Sequence, residues 1–153
     1  MMQPSMIVDE VDPSAAFESL TQTPDSVLID VRTEIEWQMV GIPDLSGIGK
    51  TTCLVEWMSG PERAQNPRFL SDVQENLGGW PAGRVFFICR SGMRSMMAAH
   101  AMAQVLAANA AEPVGGPVHC TNIAEGFEGN RPPLAGPGPA SGWKERGLPW
   151  CMC

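Results

Sequence analysis

Val85-Phe86-Phe87-Ile88-Cys89 is the most apolar short run in the chain, with Gly83 before it and a polar, glycine-containing loop after it. A run this short, rich in aromatic and β-branched side chains and bounded by turn signals, fits a buried strand. Val27-Leu28-Ile29-Asp30-Val31 repeats the pattern behind the turn-like Thr23-Pro24-Asp25, and Val118 to Ile123 and Thr51 to Val55 are further strand candidates. Between them lie helix signals. Asp12-Pro13 reads as an N-cap with proline at the first helical position, opening a helix through about Leu20. Thr33 and Glu36 form a capping box. Asn66-Pro67 repeats the cap-plus-proline signal, and Phe69, Leu70, Val73 and Leu77 recur at helical spacing until Gly78-Gly79. From Arg94 to about Ala108 the residues favour helix by propensity.

Strand and helix thus alternate, which predicts an α/β fold: a mostly parallel central sheet with helices on both faces. Such sheets bind ligands beyond the carboxyl ends of their strands. Cys89 ends the expected central strand there, and Asp30 ends another strand candidate. The length fits one domain over residues 1–153, with an irregular tail from about residue 130, where Pro and Gly become dense and Trp143, Leu148 and Trp150 are available as anchors.

Composition narrows the partners. A formal net charge of −7 argues against nucleic acid, whose binding requires a basic surface. No Lys or Arg precedes Arg32, so a secretory signal is not expected and the chain reads as cytoplasmic. The alanine-rich stretch from Ser95 to Ala111 carries His100, Gln104 and Asn109, and no membrane span is expected from it. The cysteines at 53, 89, 120, 151 and 153 contain no CxxC pair and read as thiols rather than a disulfide framework; with neither His at ligand spacing from a cysteine pair, no metal and no cofactor is expected.

The loop Cys89-Arg90-Ser91-Gly92-Met93-Arg94-Ser95 concentrates chemistry. A thiol is a weak nucleophile until ionised, and a helix N-terminus with nearby cations lowers its pKa from about 8.5 to roughly 3.5–7.5. Cys89 has both features available. Gly92 permits a tight turn, and the amides after Cys89 can form an anion-binding nest. Between Glu75 and Glu112 the chain carries Arg84, Arg90 and Arg94 but no Asp or Glu, so the positive field is local.

This loop resembles the active-site loop of the rhodanese family, in which the catalytic cysteine begins a Cys-x-x-x-x-Arg ring, here Cys89 to Arg94. Leu28-Ile29-Asp30-Val31-Arg32 is similar to the family's Asp-x-Arg strand end, and Gly126-Phe127 to its segment after the last strand. Gly126-Phe127-Glu128-Gly129 together with Gly142-Trp143 and Gly147-Leu148-Pro149-Trp150 looks like a small bacterial single-domain subgroup. Where many members have a histidine and glycine near Val40-Gly41-Ile42-Pro43-Asp44, this chain keeps Gly-Ile-Pro. Protein tyrosine phosphatases, the competing resemblance, use a ring one residue longer, and likeness to the rhodanese family implies for the shorter ring a pocket suited to a sulfur atom rather than a full phosphate.

The resemblance implies sulfur transfer by covalent catalysis, in which Cys89 takes sulfur from a thiosulfate-like anion and passes it to cyanide, a small thiol or a protein thiol. The amides of residues 90 to 95 would stabilise the persulfide, while Arg90 and Arg94 attract the donor and hold the loop. Met93 at the loop tip is placed to touch substrate. Asp30 and Arg32 read as a structural pair bracing the strand ends. The competing readings are a buried structural thiol at Cys89 and a non-enzymatic interaction or redox-sensing module. Cys53 and Cys120 read as structural; Met96, Met97, Met102 and Trp37 read as core filling. Cys151 and Cys153 read as exposed tail thiols that could accept sulfur from Cys89 or form a disulfide with it.

Overall fold

The computed structural model describes residues 8–81, 83–108, 118–132, 136 and 138–153. Positions 109–111 of the alanine-rich stretch and 133–135 and 137 of the tail lie outside the described residues. In chain order the elements are β1 (Asp9–Val11), α1 (Pro13–Gln22), β2 (Ser26–Asp30), α2 (Glu34–Val40), β3 (Ile42–Pro43), β4 (Cys53–Leu54), β5 (Met58–Ser59), β6 (Ala64–Gln65), α3 (Phe69–Leu77), β7 (Gly83–Ile88), α4 (Met93–Ala108), β8 (Val118–Ile123) and β9 (Trp150–Cys151), with a 3-10 turn at Ser46–Ile48.

Five strands form one sheet in the order β1-β8-β7-β2-β4, and every neighbouring pair is parallel. The apolar run is indeed central: Ser26 to Asp30 pair with Arg84 to Ile88, and Gly83 to Phe87 pair with Val118 to Asn122. Strand alternation divides the core in two. Ile29, Val85, Phe87 and Cys89 face one side, where Phe69 and Val73 of α3 and Ala98, Ala99 and Met102 of α4 cover them. Leu28, Phe86 and Ile88 face the other, against Ala16 and Leu20 of α1 and against Phe127 and Trp143. Helices cover both faces, as the alternating pattern predicts.

Local signals held with small shifts. The Asp12 carboxylate accepts from the Ala15 amide at 2.8 Å, and the Thr33–Glu36 capping box is complete. Asn66 does not cap α3: its side chain accepts from the Arg68 amide at 3.0 Å, an Asx turn that delays the helix to Phe69. The central strand ends at Ile88, so Cys89 is the first loop residue. The candidate at 51–55 shrinks to Cys53–Leu54. The tail is not wholly irregular, because β9 pairs antiparallel with β3 and Trp143 is fully buried. Met97 is exposed rather than core, unlike Met102, and Trp37 is half-buried. No helix among the described residues is long and apolar enough to cross a membrane.

Candidate functional site

β7 delivers Cys89 to the carboxyl edge of the sheet, and α4 begins four residues later. Gly92 makes the turn between them at φ +108°, backbone that favours glycine. Its amide donates to the Cys89 Sγ at 3.1 Å, and the Ser95 hydroxyl lies 3.2 Å from the same sulfur. Cys89 is only 1% exposed. The loop therefore closes over a sulfur that nevertheless has polar neighbours, an arrangement midway between a nest and a sealed core thiol.

The two arginines take different positions. Arg94 places its guanidinium on Glu36 of α2 at 2.7 and 2.9 Å, and its charge also acts on Cys89 and Asp30. Burial pushes the Glu36 carboxyl up, but the Arg94 hydrogen bonds and charge, with Thr33, outweigh it and bring the pKa down to about 2. Arg90 stays 66% exposed, 3.5 Å from Glu128. Met93, the first residue of α4, is 77% exposed.

Asp30 and Arg32 are fully buried and paired, with Nε at 3.0 Å and Nη2 at 2.7 Å from the carboxylate. Arg32 also donates to the Gly41 carbonyl at 2.7 Å and packs over the Phe127 ring. These contacts make the pair a brace between β2, α2 and the segment after β8. That segment touches the loop directly: Phe127 donates its amide to the Cys89 carbonyl at 2.7 Å, and Glu128 to that of Arg90 at 3.0 Å. A Cβ at Gly126 would lie 2.5 Å from the Cys89 and Arg90 backbone, which explains the glycine there.

Sequence reasoning missed two contributors. Glu36 was legible as a cap but not as the partner of Arg94. Asn122, fully buried near the end of β8, accepts from Ser95 at 2.5 Å and donates to Gly92 O at 3.1 Å and to Glu10 at 2.9 Å. A polar residue at the carboxyl end of a buried parallel strand was the available signal. The cysteine reading also needs correction. Cys151 and Cys153 are disulfide-bonded to each other, leaving Cys53, Cys89 and Cys120 free. Two residues apart at the end of β9, their Cα atoms are 5.3 Å apart, within disulfide reach.

Among the described residues, no group of three or more His, Cys, Asp and Glu is arranged to hold a metal. An open cleft away from Cys89 is lined by Trp37, Glu34, Glu56, Asp72 and Glu75, an acidic wall that repels anions.

No protein-family model matches the chain. RC0915, an uncharacterized protein of Rickettsia conorii, is 34% identical over 145 residues, covering 95% of this chain and 98% of that one. The chain belongs to the RC0915 family. RP600 of Rickettsia prowazekii is 33% identical with the same coverage. Among solved structures, Rv0390 from M. tuberculosis is 36% identical, with TM-score 0.72 over 95% of this chain and 98% of that one. The polysulfide-sulfur transferase homodimer of Wolinella succinogenes is 20% identical, with TM-score 0.56 over 94% of this chain and 78% of that one, a likeness of fold. The RC0915 family chain described here thus has a rhodanese-like fold.

Proposed function

We propose that this protein is a sulfurtransferase that carries sulfane sulfur on Cys89. The observation that supports it most is the position of Sγ: at the carboxyl edge of the central strand, 3.1 Å from the Gly92 amide and within the field of Arg94. An N–H donor and a guanidinium charge both favour negative sulfur. In the first step the Cys89 thiolate attacks the outer sulfur of thiosulfate, the donor S–S bond breaks, and sulfite leaves with the bonding pair. The product is a persulfide. A nucleophile such as cyanide, a small thiol or a protein thiol then takes the outer sulfur and returns the Cys89 thiolate.

In this reading exposed Arg90 attracts the anionic donor, while Arg94, anchored by Glu36, fixes the start of α4. The bend of Arg90, Ser91 and Gly92 moves aside to uncover Sγ, and Met93 meets the donor or acceptor at the rim. The amides of residues 90 to 95 bind the outer sulfur once it is in place. Asp30 and Arg32 brace the loop without touching substrate. One domain suffices for this chemistry, in a cytoplasmic setting.

The 1% exposure of Cys89 favours a second reading, an interaction or redox-sensing module whose thiol does not turn over. Intact-mass measurement after thiosulfate exposure, with sulfite release, separates them. The proposal expects one added sulfur atom mapping to Cys89 and sulfite release lost in Cys89→Ser. Equal release by both proteins discards it, and uptake without turnover on cyanide or thiols favours the second reading.

A further inference from the structure

A buried polar chain runs from the Cys89 sulfur to the protein surface, and the direction of each of its hydrogen bonds is fixed by chemistry. Its outer end is Asn122, whose Nδ2 meets the Glu10 carboxylate at 2.9 Å and the Gly92 carbonyl at 3.1 Å. Both partners only accept, so they take both amide hydrogens. The Asn122 Oδ1 is thereby committed to face Ser95 Oγ, 2.5 Å away. Two oxygens this close need a proton between them, and the amide oxygen carries none. The Ser95 hydroxyl hydrogen therefore points at Asn122, which turns an oxygen lone pair toward the Cys89 Sγ at 3.2 Å. That lone pair suits an S–H donor and opposes a negative sulfur.

We propose that Asn122 is a positioning residue that holds the Ser95 hydroxyl turned away from Cys89, so that the nucleophile is restrained until this hydrogen bond is given up. The inference rests on Cys89 being the reactive thiol. When the thiol releases its proton to solvent, the Ser95 hydroxyl must rotate onto the sulfur, and Asn122 Oδ1 loses its donor. Gly92 links this switch to the loop, because its amide donates to Sγ while its carbonyl holds Asn122. Displacing Gly92 to admit a donor loosens the amide of Asn122 in the same movement.

Charged groups around the sulfur come from several elements: Arg94 on α4, its partners Glu36 on α2 and Asp30 on β2, Glu10 on β1, and the Arg90–Glu128 pair across the loop. Replacing Asn122 or Ser95 alters none of these charges, so the hydroxyl direction is what such variants read.

The test is the pH dependence of Cys89 alkylation by iodoacetamide, followed by peptide mass mapping. Losing one neutral hydrogen bond on ionisation corresponds to a shift of about one pH unit. Asn122→Ala should move the alkylation midpoint down by about that amount, and in a Ser95→Ala background the same substitution should move it no further. An unmoved or raised midpoint, or an equal shift without Ser95, overturns the proposal. Should Asn122→Ala fail to fold, Glu10→Ala at the exposed end of the chain, compared with Glu10→Gln, takes its place. Both variants remove the Glu10 charge, whereas Gln alone keeps an accepting oxygen for Asn122, so a midpoint lower in Ala than in Gln supports the proposal, and one equal or higher overturns it. Thiosulfate uptake by the wild type is scored separately: if Cys89 gains no sulfur, the sulfurtransferase reading fails whatever the midpoints show.

Discussion

Glu36 commits both carboxylate oxygens to Arg94, at 2.7 and 2.9 Å, and so ties the first turn of α2 to the first turn of α4 beside the Cys89 loop. The same carboxylate closes the capping box with Thr33. One side chain thereby serves a local and a long-range purpose.

This pair makes stability depend on acid. The Glu36 carboxyl titrates at about 2 in the folded chain against an ordinary value of 4.5, a depressed folded-state pKa. Its contribution is complete above about pH 4.5 and disappears as pH falls toward about 2. Glu36→Gln should cost about 2 kcal/mol at neutral pH, with solvent screening at this part-exposed site included. Urea melts across acidic pH should show the gap between wild type and variant closing over that window; a gap that persists at the acid end would reject the assignment.

Asp30 and Arg32 are both fully buried, so deleting one strands the charge of the other. Arg32→Ala should lower stability by about 3–5 kcal/mol, whereas the double replacement Asp30→Leu with Arg32→Met should recover much of the loss. Denaturant unfolding of the three proteins checks this, and a nearly neutral Arg32→Ala would show that the brace carries little.

Gly126 adopts φ +67° and leaves no room for a Cβ against the Cys89–Arg90 backbone. Gly126→Ala should therefore displace the loop, lowering the melting temperature and reducing sulfur uptake at Cys89. The combined readout is thermal melting plus intact mass after thiosulfate; a variant unchanged in both would contradict the packing.

Burial pushes the Cys53 and Cys120 thiols up to about 12. In the native protein at neutral pH both should resist iodoacetamide. Denatured without reductant, the chain should take three alkyl groups, on Cys53, Cys89 and Cys120, and two more after reduction of the Cys151–Cys153 bond. Because the two folded-state values lie above the ordinary 9.0, their contribution to stability is intact below about pH 9 and lost as pH rises toward about 12. Flat stability over that alkaline range would count against it.

The parallel sheet and the starts of α1 and α2 were legible because apolar runs and caps are local signals: Val85 to Ile88, Val27 to Asp30, Asp12 and Thr33 each specify their element from within. The Cys89 loop was legible for the same reason, being contiguous. What escaped depends on distant partners. β1 has three residues, Asp9-Glu10-Val11, and carries no apolar run, yet it pairs with β8 and supplies Glu10 to Asn122. β9 is defined by β3, more than a hundred residues earlier in the chain. Arg94 beside Glu36 and Ser95 beside Asn122 are likewise products of topology.

The odd-even division of β7 sends Phe86 and Ile88 to one core and Val85 and Phe87 to the other, where Cys89, the first residue after the strand, joins them. Chain length within this strand is therefore a functional coordinate in its own right. Inserting or deleting a single residue there would rotate the sulfur through the sheet to the Phe127 side, away from Ser95, while still leaving a hydrophobic strand able to pair. Frame-preserving indels should be purged from this segment even where substitutions of similar thermodynamic cost are tolerated.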